Sequence, residues 1–80
     1  MNPRQTPHPQ PALGQAIREL RGKRGKSLQE LAPKAGITFG TLSLIERGEA
    51  NPTWETVKRL AGALGVSVAE LAKAAEGLEG

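Results

Sequence analysis

The side chains best able to do chemistry in this 80-residue sequence are lysines and arginines, and the chemistry they offer is phosphate binding. Residues 1–47 carry eight Lys and Arg against three Glu, whereas residues 48–80 carry three against five, so the two parts have net charges of +5 and −2. A positive surface attracts the phosphate backbone of a nucleic acid, and an acidic surface repels it. A solvated surface of mixed charge fits the same numbers, so charge alone leaves both interpretations open.

Residues suited to catalysis or metal binding are scarce. The sequence has one histidine, His8, neither cysteine nor aspartate, and no glycine-rich phosphate loop after a strand pattern. A nucleophile with its base, or a set of metal ligands, requires residue types that are missing. Without cysteine there are no disulfides either. We therefore expect a protein that is not an enzyme and that has no cofactor, metal or small-molecule substrate.

The chain divides into a short tail and one domain. Residues 1–11 hold four prolines among polar residues and are predicted to form a disordered, proline-rich tail. Residues 12–76 are predicted to fold, and residues 77–80 to fray. No apolar run is long enough to span a membrane and no secretory signal is visible, so a cytoplasmic protein without a membrane partner is expected.

Helix signals recur along the folded part. Apolar residues at helical spacing predict a first helix that ends near Lys23: Leu13, Ala16, Ile17 and Leu20. Four more helix starts carry capping residues, at Ser27, Thr38, Thr53 and Ser67, and both serines have a glutamate three residues later, which makes a capping box. Glycines suited to a helix stop follow at 36, 48 and 65. With no alternating β-branched run, the predicted fold class is all-α with five helices.

Pro33 conflicts with the second of these helices. At about the sixth position it removes a hydrogen bond to Gln29 and crowds that carbonyl, at a cost of about 3 kcal/mol in a regular helix interior. Either the helix bends away at its Ser27 end or its first turn loosens. Both outcomes would change how the second helix meets a partner, and the sequence does not choose between them.

The segment from Leu31 to Gly48 is the most informative part of the chain. It reads L-A-x-x-A-G-I-T-x-x-T-L-S-x-I-E-x-G. Small Ala32 lets two helices approach, and Gly36 makes a tight turn between them. Apolar residues anchor the second of the two helices on one side: Ile37, Leu42 and Ile45. Its other side then projects outward, as does a helix that enters the major groove of DNA.

Together with its flanks, this segment resembles the Cro/phage-repressor (XRE-type) helix-turn-helix family from about Leu13 to Leu71. The flanks add E-R-G at 46–48, Pro52, and A-x-x-L-G-V-S at 61–67. The resemblance implies a five-helix, lambda-repressor-like domain with the helix-turn-helix at helices two and three. It also implies a sequence-specific regulator of transcription that inserts residues 38–47 into double-stranded DNA, and a homodimer formed by the fourth and fifth helices.

The resemblance also assigns roles by position. Base-facing roles fall on Thr38, Phe39, Gly40, Thr41, Ser43 and Leu44. Phosphate contacts are expected at the start of helix two and from the surrounding cations: Lys23, Arg24, Lys26, Ser27, Leu28, Lys34 and Arg47. An ion pair between Arg21 on the first helix and Glu46 at the end of the third is implied as a structural element.

The sequence departs from the family pattern where side chains would reach base edges. Members often carry Gln, Arg, Lys or Ser at the positions of Phe39, Gly40 and Leu44, and these three residues offer no side-chain hydrogen bond. What remains is apolar contact with thymine methyl groups, together with nearby hydroxyls, so we predict T-rich or shape-dependent sites. Leu28 replaces a common glutamine, and one backbone contact is expected to be lost with it.

Two alternatives stay open at this stage. The apolar face formed by Phe39, Gly40 and Leu44 would also suit a protein partner, which makes a protein-interaction module on the same fold, such as an antitoxin or anti-regulator, the rival function. Phe39 could also fold back on the domain. Trp54, the single tryptophan, fits the core or a subunit interface better than a base-stacking platform.

Overall fold

The computed structural model describes residues 11–79, and every regular element in that range is a helix. The helices are α1 (Pro11–Lys23), α2 (Leu28–Lys34), α3 (Phe39–Glu46), α4 (Trp54–Leu64) and α5 (Val68–Glu79). The predicted all-α fold with five helices is therefore confirmed. The predicted tail, apart from Pro11, and the last residue lie outside the described residues.

The helices begin where side chains satisfy their first backbone N–H groups. The Ser27 hydroxyl accepts the Glu30 N–H (3.1 Å) while the Glu30 carboxylate accepts the Ser27 N–H (2.8 Å), which is a complete capping box. Ser67 and Glu70 repeat the arrangement ahead of α5. Thr38 and Thr53 accept the N–H three residues on, which caps α3 and α4. These local bonds explain why the four starts were readable from the sequence.

Two glycines with positive φ lie on either side of α3. Gly36 (φ +70°) ends α2 and Gly48 (φ +73°) follows α3, and each is a left-handed residue that a side chain would strain. The residues after them close the helix ends, because Ile37 donates its N–H to the Ala32 carbonyl and Glu49 donates to Leu44. The tight turn at Gly36 brings α2 and α3 together as a helix-turn-helix.

One aliphatic core holds the five helices together. Its fully buried members come from every helix: Ile17, Leu31, Leu42, Ile45, Leu60, Leu64 and Leu71. α1 packs on α3 and α5, and α2 packs on α3 and α4. Burying each such side chain contributes about 1.5–3 kcal/mol, so the core fixes the angle at which α2 and α3 meet.

α1 and the end of α3 approach so closely that only a glycine fits between them. A β-carbon on Gly14 would collide with the carbonyl oxygen of Ile45 and lie 2.9 Å from that of Glu46. Real β-carbons are essentially never this close to such atoms. Gly14 therefore sets the distance between α1 and α3, and sequence reasoning gave it no role.

Two details differ from the sequence-based expectations. Pro11 is the first residue of α1 rather than part of the tail, because its fixed φ suits a first helical turn where its N–H would be unpaired. α5 runs through Glu79, three residues past the expected end at Glu76.

Pro33 is the next-to-last residue of α2. The chain leaves the helix at Ala35 and turns at Gly36, so the ring lies in the last turn rather than in a long helix interior. α2 begins as a regular capped helix at Leu28, which means that its first turn is intact. The loosened first turn considered from the sequence is therefore wrong.

Candidate nucleic-acid interface

α3 has a buried side and an outward side. Leu42 and Ile45 are buried in the core, at 0% and 2% exposure. The residues assigned base-facing roles lie on the remaining surface, where Phe39 is 48% exposed and Leu44 39% exposed. Thr38, Gly40 and Thr41 are exposed, and Ser43 is half-buried. The structure therefore brings the six residues together on one helix and its cap, and Phe39 does not fold back into the core.

The threonine hydroxyls of this surface are largely engaged with each other. The Thr38 hydroxyl accepts the Thr41 N–H (3.1 Å) and donates to the Thr41 hydroxyl (2.9 Å). This pairing occupies one of the two hydroxyl hydrogens that the sequence appeared to offer. The surface is consequently less polar than its composition indicates.

Several of the residues expected to contact phosphate cluster at the start of α2. Lys26 precedes the capping serine, Ser27, and the Lys34 ammonium lies close enough that hydrogen bonding and charge repulsion lower the pKa of Lys26. Leu28 packs partly against the core, so it offers its backbone rather than a polar side chain. The Glu30 carboxylate already supplies one negative charge near both ammonium groups, and a phosphate would add a second.

The other predicted cations are more dispersed. Arg47, which follows α3, is exposed and pairs with the exposed carboxylate of Glu49 at 3.2 Å. Lys23 is exposed at the end of α1. Arg24 lies elsewhere: its Nε is 3.9 Å from where a β-carbon on Gly65 would stand, and its charge helps to lower the pKa of Glu70. Arg24 thus lies against the α4–α5 turn and does not join the Lys26–Lys34 pair.

Arg59 is a cation near the helix-turn-helix that the sequence analysis missed. Its Nη1 lies 3.6 Å from where a β-carbon on Gly36 would be, beside the turn between α2 and α3. Arg59 also pairs with Glu55, one turn earlier on α4, at 3.6 Å. Because residues 48–80 are net acidic, the charge count gave this residue no role, and no local signal links α4 to the turn.

The Arg21–Glu46 ion pair is present and bidentate. Arg21 Nε and Nη2 donate to the two carboxylate oxygens of Glu46 at 2.7 and 2.9 Å, and Nη1 donates to the Lys26 carbonyl at 2.9 Å. The side chains are 17% and 6% exposed. The hydrogen bond to Glu46 raises the pKa of Arg21, against the opposing effect of desolvation. Arg21 thereby joins α1, the α1–α2 loop and the end of α3.

Other kinds of site find little support in the part of the chain that the structure describes. Residues 11–79 contain no group of three or more acidic or histidine side chains that could hold a metal ion. None of their helices is long and apolar enough to cross a membrane.

An apolar groove runs between α1, α4 and α5 beside Trp54, which is 64% exposed and therefore not a core residue. Its apolar lining comprises Leu13, Trp54, Val57, Val68, Leu71, Ala72 and Ala75.

Comparisons with known proteins agree with this geometry. A family model described as helix-turn-helix matches residues 17–71. The HTH-type transcriptional regulator DdrOP3 of Deinococcus deserti is 41% identical over 64 residues, which cover 80% of this chain and 50% of DdrOP3. The chain spans about half the length of the first curated relatives it matches.

Solved structures with the same fold include a regulator bound to DNA. The clp gene regulator ClgR from Corynebacterium glutamicum matches with a TM-score of 0.85 at 36% identity, over 92% of this chain and 96% of ClgR. The biofilm regulator SinR in complex with DNA matches with a TM-score of 0.70 at 41% identity, over 75% of this chain and 97% of that SinR chain.

Proposed function

The chain belongs to the helix-turn-helix family of the Cro and phage-repressor type, and from that membership we propose that it is a sequence-specific regulator of transcription that binds double-stranded DNA. In this proposal α3, with its cap and stop at 38–47, enters the major groove, and α2 lies across the phosphate backbone. The chain acts by binding rather than by catalysis. A cytoplasmic location follows, because its proposed partner is chromosomal or phage DNA.

The observation that carries the proposal is the two-sided character of α3. One side is anchored in the core by Leu42 and Ile45, and the other is exposed at Phe39, Gly40 and Leu44 and half-buried at Ser43. The bidentate Arg21–Glu46 pair fixes its C-terminal end against α1. A rigid helix that presents one face is what a major groove of about 12 Å width admits.

Phosphate contacts in this proposal fall on either side of α3. Lys26 and Lys34 flank the capped start of α2, where Ser27 and Leu28 present backbone N–H groups, and Arg47 follows the end of α3. Lys23 extends the positive surface. Arg24 is left out of this set because it lies against Gly65 and near Glu70.

A homodimer is part of the proposal. Trp54 is 64% exposed at an apolar groove between α1, α4 and α5, and large exposed apolar patches in soluble proteins mark interaction sites. A second copy related by a two-fold axis would cover both grooves at once. Two recognition helices would then reach half-sites about 34–36 Å apart.

The proposal is tested by selecting bound duplexes from a random pool with the 80-residue chain at two salt concentrations. We expect enrichment of one two-fold symmetric sequence rich in T, and capture that falls steeply as salt rises, because counterions are released from the phosphates. The variant Phe39→Ala with Leu44→Ala should lose the enriched sequence but keep the salt-dependent capture. Leu78→Ala, which truncates an equally exposed leucine on α5, is the matched control and should select the same sequence.

Failure of the selection would favour the rival function. No enrichment at either salt concentration, together with unchanged folding and tight capture of a protein partner, would mean that the outward side of α3 serves that partner instead. An apolar protein interface would keep its affinity as salt rises, whereas DNA binding would not.

A further inference from the structure

The outward surface of α3 is poor in groups that could read bases by hydrogen bonding. Phe39, Gly40 and Leu44 have no polar side-chain atoms, and the Thr38 hydroxyl is already bonded to Thr41 through both its acceptor and its donor roles. The Thr41 hydroxyl hydrogen and the half-buried Ser43 remain. Bidentate contacts to guanine or adenine, the usual source of discrimination in the major groove, require Arg, Lys, Asn or Gln. None of the six residues assigned base-facing roles is of these types, and Arg47, just past the end of α3, pairs with Glu49.

Apolar groups dominate the same surface instead. Phe39 and Leu44 are the exposed large apolar side chains of the helix-turn-helix, at 48% and 39%. At 100° per residue, Gly40 lies between them on the outward side of α3, and a β-carbon there would meet nothing within 4 Å. The absent side chain leaves open, apolar-flanked space at the centre of the face.

The major groove offers one apolar group to such a surface. That group is the methyl on C5 of thymine, and the other edges are hydrogen-bond donors or acceptors. We infer that the group recognised by α3 is a pyrimidine C5 methyl in the major groove, supplied either by thymine or by 5-methylcytosine, which carries its methyl on the same ring carbon. This inference rests on the proposed function, since it requires that α3 meets double-stranded DNA.

The inference makes a quantitative prediction. Burying one methyl group stabilises a complex by an amount that corresponds to about a fourfold change in affinity. Deoxyuridine differs from thymine by this methyl alone, so replacing a contacted thymine by deoxyuridine should weaken binding about fourfold. A cytosine at the same position should bind more weakly, and methylating its C5 should recover about fourfold.

The experiment measures affinity by fluorescence anisotropy for the duplex obtained by selection, with each thymine replaced in turn by deoxyuridine, by cytosine and by 5-methylcytosine. We expect about fourfold weakening by deoxyuridine at one or more positions in each half-site, and recovery by 5-methylcytosine relative to cytosine at the same positions. The variants Phe39→Ala and Leu44→Ala should bring the thymine-to-uracil ratio of affinities close to one. Leu78→Ala should keep the ratio, which would show that its loss is specific to the α3 surface, whereas a ratio set by DNA shape alone would persist in all three variants.

Three results would overturn the inference, and the first two separate it from the proposed function. If the chain binds its selected duplex but every deoxyuridine substitution changes the affinity less than twofold, methyl recognition is wrong while DNA binding stands. If no duplex is bound at all, the proposed function fails and the inference fails with it. A ratio that survives both Phe39→Ala and Leu44→Ala would also overturn it, because the methyl would then be read by other residues.

Discussion

Arg21 on α1 donates two hydrogen bonds, of 2.7 and 2.9 Å, to the carboxylate of Glu46, the last residue of α3. Its third nitrogen donates to the Lys26 carbonyl. The carboxylate is only 6% exposed. A charge in this position needs its partner, because water cannot replace the guanidinium. The pair fixes the end of the proposed recognition helix relative to the loop that carries Lys26.

Breaking this pair should unfold the domain at moderate temperature. Glu46→Ala leaves the Arg21 guanidinium without its partner, and the loss of one member of a sheltered pair costs about 3–5 kcal/mol, a large share of the stability of a domain of this size. Melting followed by circular dichroism should lose its cooperative transition. The matched control is Glu49→Ala, which breaks the exposed Arg47–Glu49 pair and should change stability by less than about 1 kcal/mol. An unchanged melt for Glu46→Ala would refute the structural role.

Gly14 should be intolerant of the smallest side chain. In Gly14→Ala the added methyl would overlap the Ile45 carbonyl, so α1 must move away from the end of α3, at a cost of about 1–3 kcal/mol or more. Denaturation in urea measures this loss. Gly62→Ala is the control, because Gly62 lies inside α4 with nothing within 4 Å of an added β-carbon. That substitution should stabilise the fold by about 0.5–1 kcal/mol. If Gly14→Ala stabilised the fold as Gly62→Ala is expected to, helix propensity rather than the contact with α3 would govern position 14.

The contrast between these glycines shows what the sequence could and could not reveal. Caps and stops are formed by residues close in sequence, so the Ser27–Glu30 cap and the turn at Gly36 could be predicted from the local sequence. The contacts of Gly14 with the end of α3 and of Arg59 with the turn join distant segments. No local pattern distinguishes Gly14 from an ordinary helical glycine, and periodicity could not decide whether Trp54 would be covered.

The outward position of the residues assigned base-facing roles was predictable from local spacing, as the caps were. Once Leu42 and Ile45 are assigned to the core, helical geometry sends Gly40 and Leu44 to the opposite side. The hydroxyl pairing of Thr38 with Thr41 was not anticipated, because it depends on side-chain rotamers within the capped turn. This hydrogen bond changes the expected chemistry of the α3 surface more than any difference between the expected and observed positions of its residues.

The two capping boxes should make stability fall at acid pH. The Ser27 and Ser67 N–H groups, followed by their hydroxyls, lower the pKa of Glu30 and Glu70 below the ordinary value of 4.5. A carboxyl whose folded pKa is lowered stabilises the fold above its unfolded pKa, and that contribution disappears as pH falls through the folded value. The melting temperature should therefore decrease below about pH 4.5.

Glutamine at both cap positions tests this origin. Glu30→Gln with Glu70→Gln keeps an acceptor for the serine N–H but removes the titration, so the melting temperature should depend less on pH between 6 and 3. Glu19→Gln, which changes an exposed carboxylate of α1 outside the caps, is the matched control. If the double variant and the unmodified chain lose stability in parallel, the caps do not cause the acid sensitivity.

Trp54 should control self-association without controlling folding. Truncating a tryptophan at the centre of an interface typically costs about 2 kcal/mol or more, so Trp54→Ala should raise the dissociation constant of the proposed homodimer about thirtyfold or more. Sedimentation velocity over a dilution series measures this change. Because Trp54 is 64% exposed, the variant should keep a cooperative melt. The variant and the unmodified chain are compared at protein concentrations that give both the same fraction of monomer. Phe39→Ala removes an exposed aromatic from α3 and should leave the dimer intact. A dimer unaffected by Trp54→Ala would place the subunit contact elsewhere.

The salt dependence of DNA binding should separate the cations that contact phosphate from those that do not. Each phosphate contact contributes about 0.9 to the slope of log affinity against log salt concentration, independent of the base sequence. Lys26→Gln and Lys34→Gln should each reduce the slope by about one and weaken binding to all duplexes alike. Arg24→Gln is the matched control: it removes the same charge close by in sequence, yet Arg24 lies against the turn at Gly65, so the slope should not change. If Arg24→Gln reduced the slope of log affinity against log salt concentration more than Lys34→Gln does, Arg24 would have to leave the turn at Gly65 and contact phosphate. The phosphate surface would then extend toward α4 and α5.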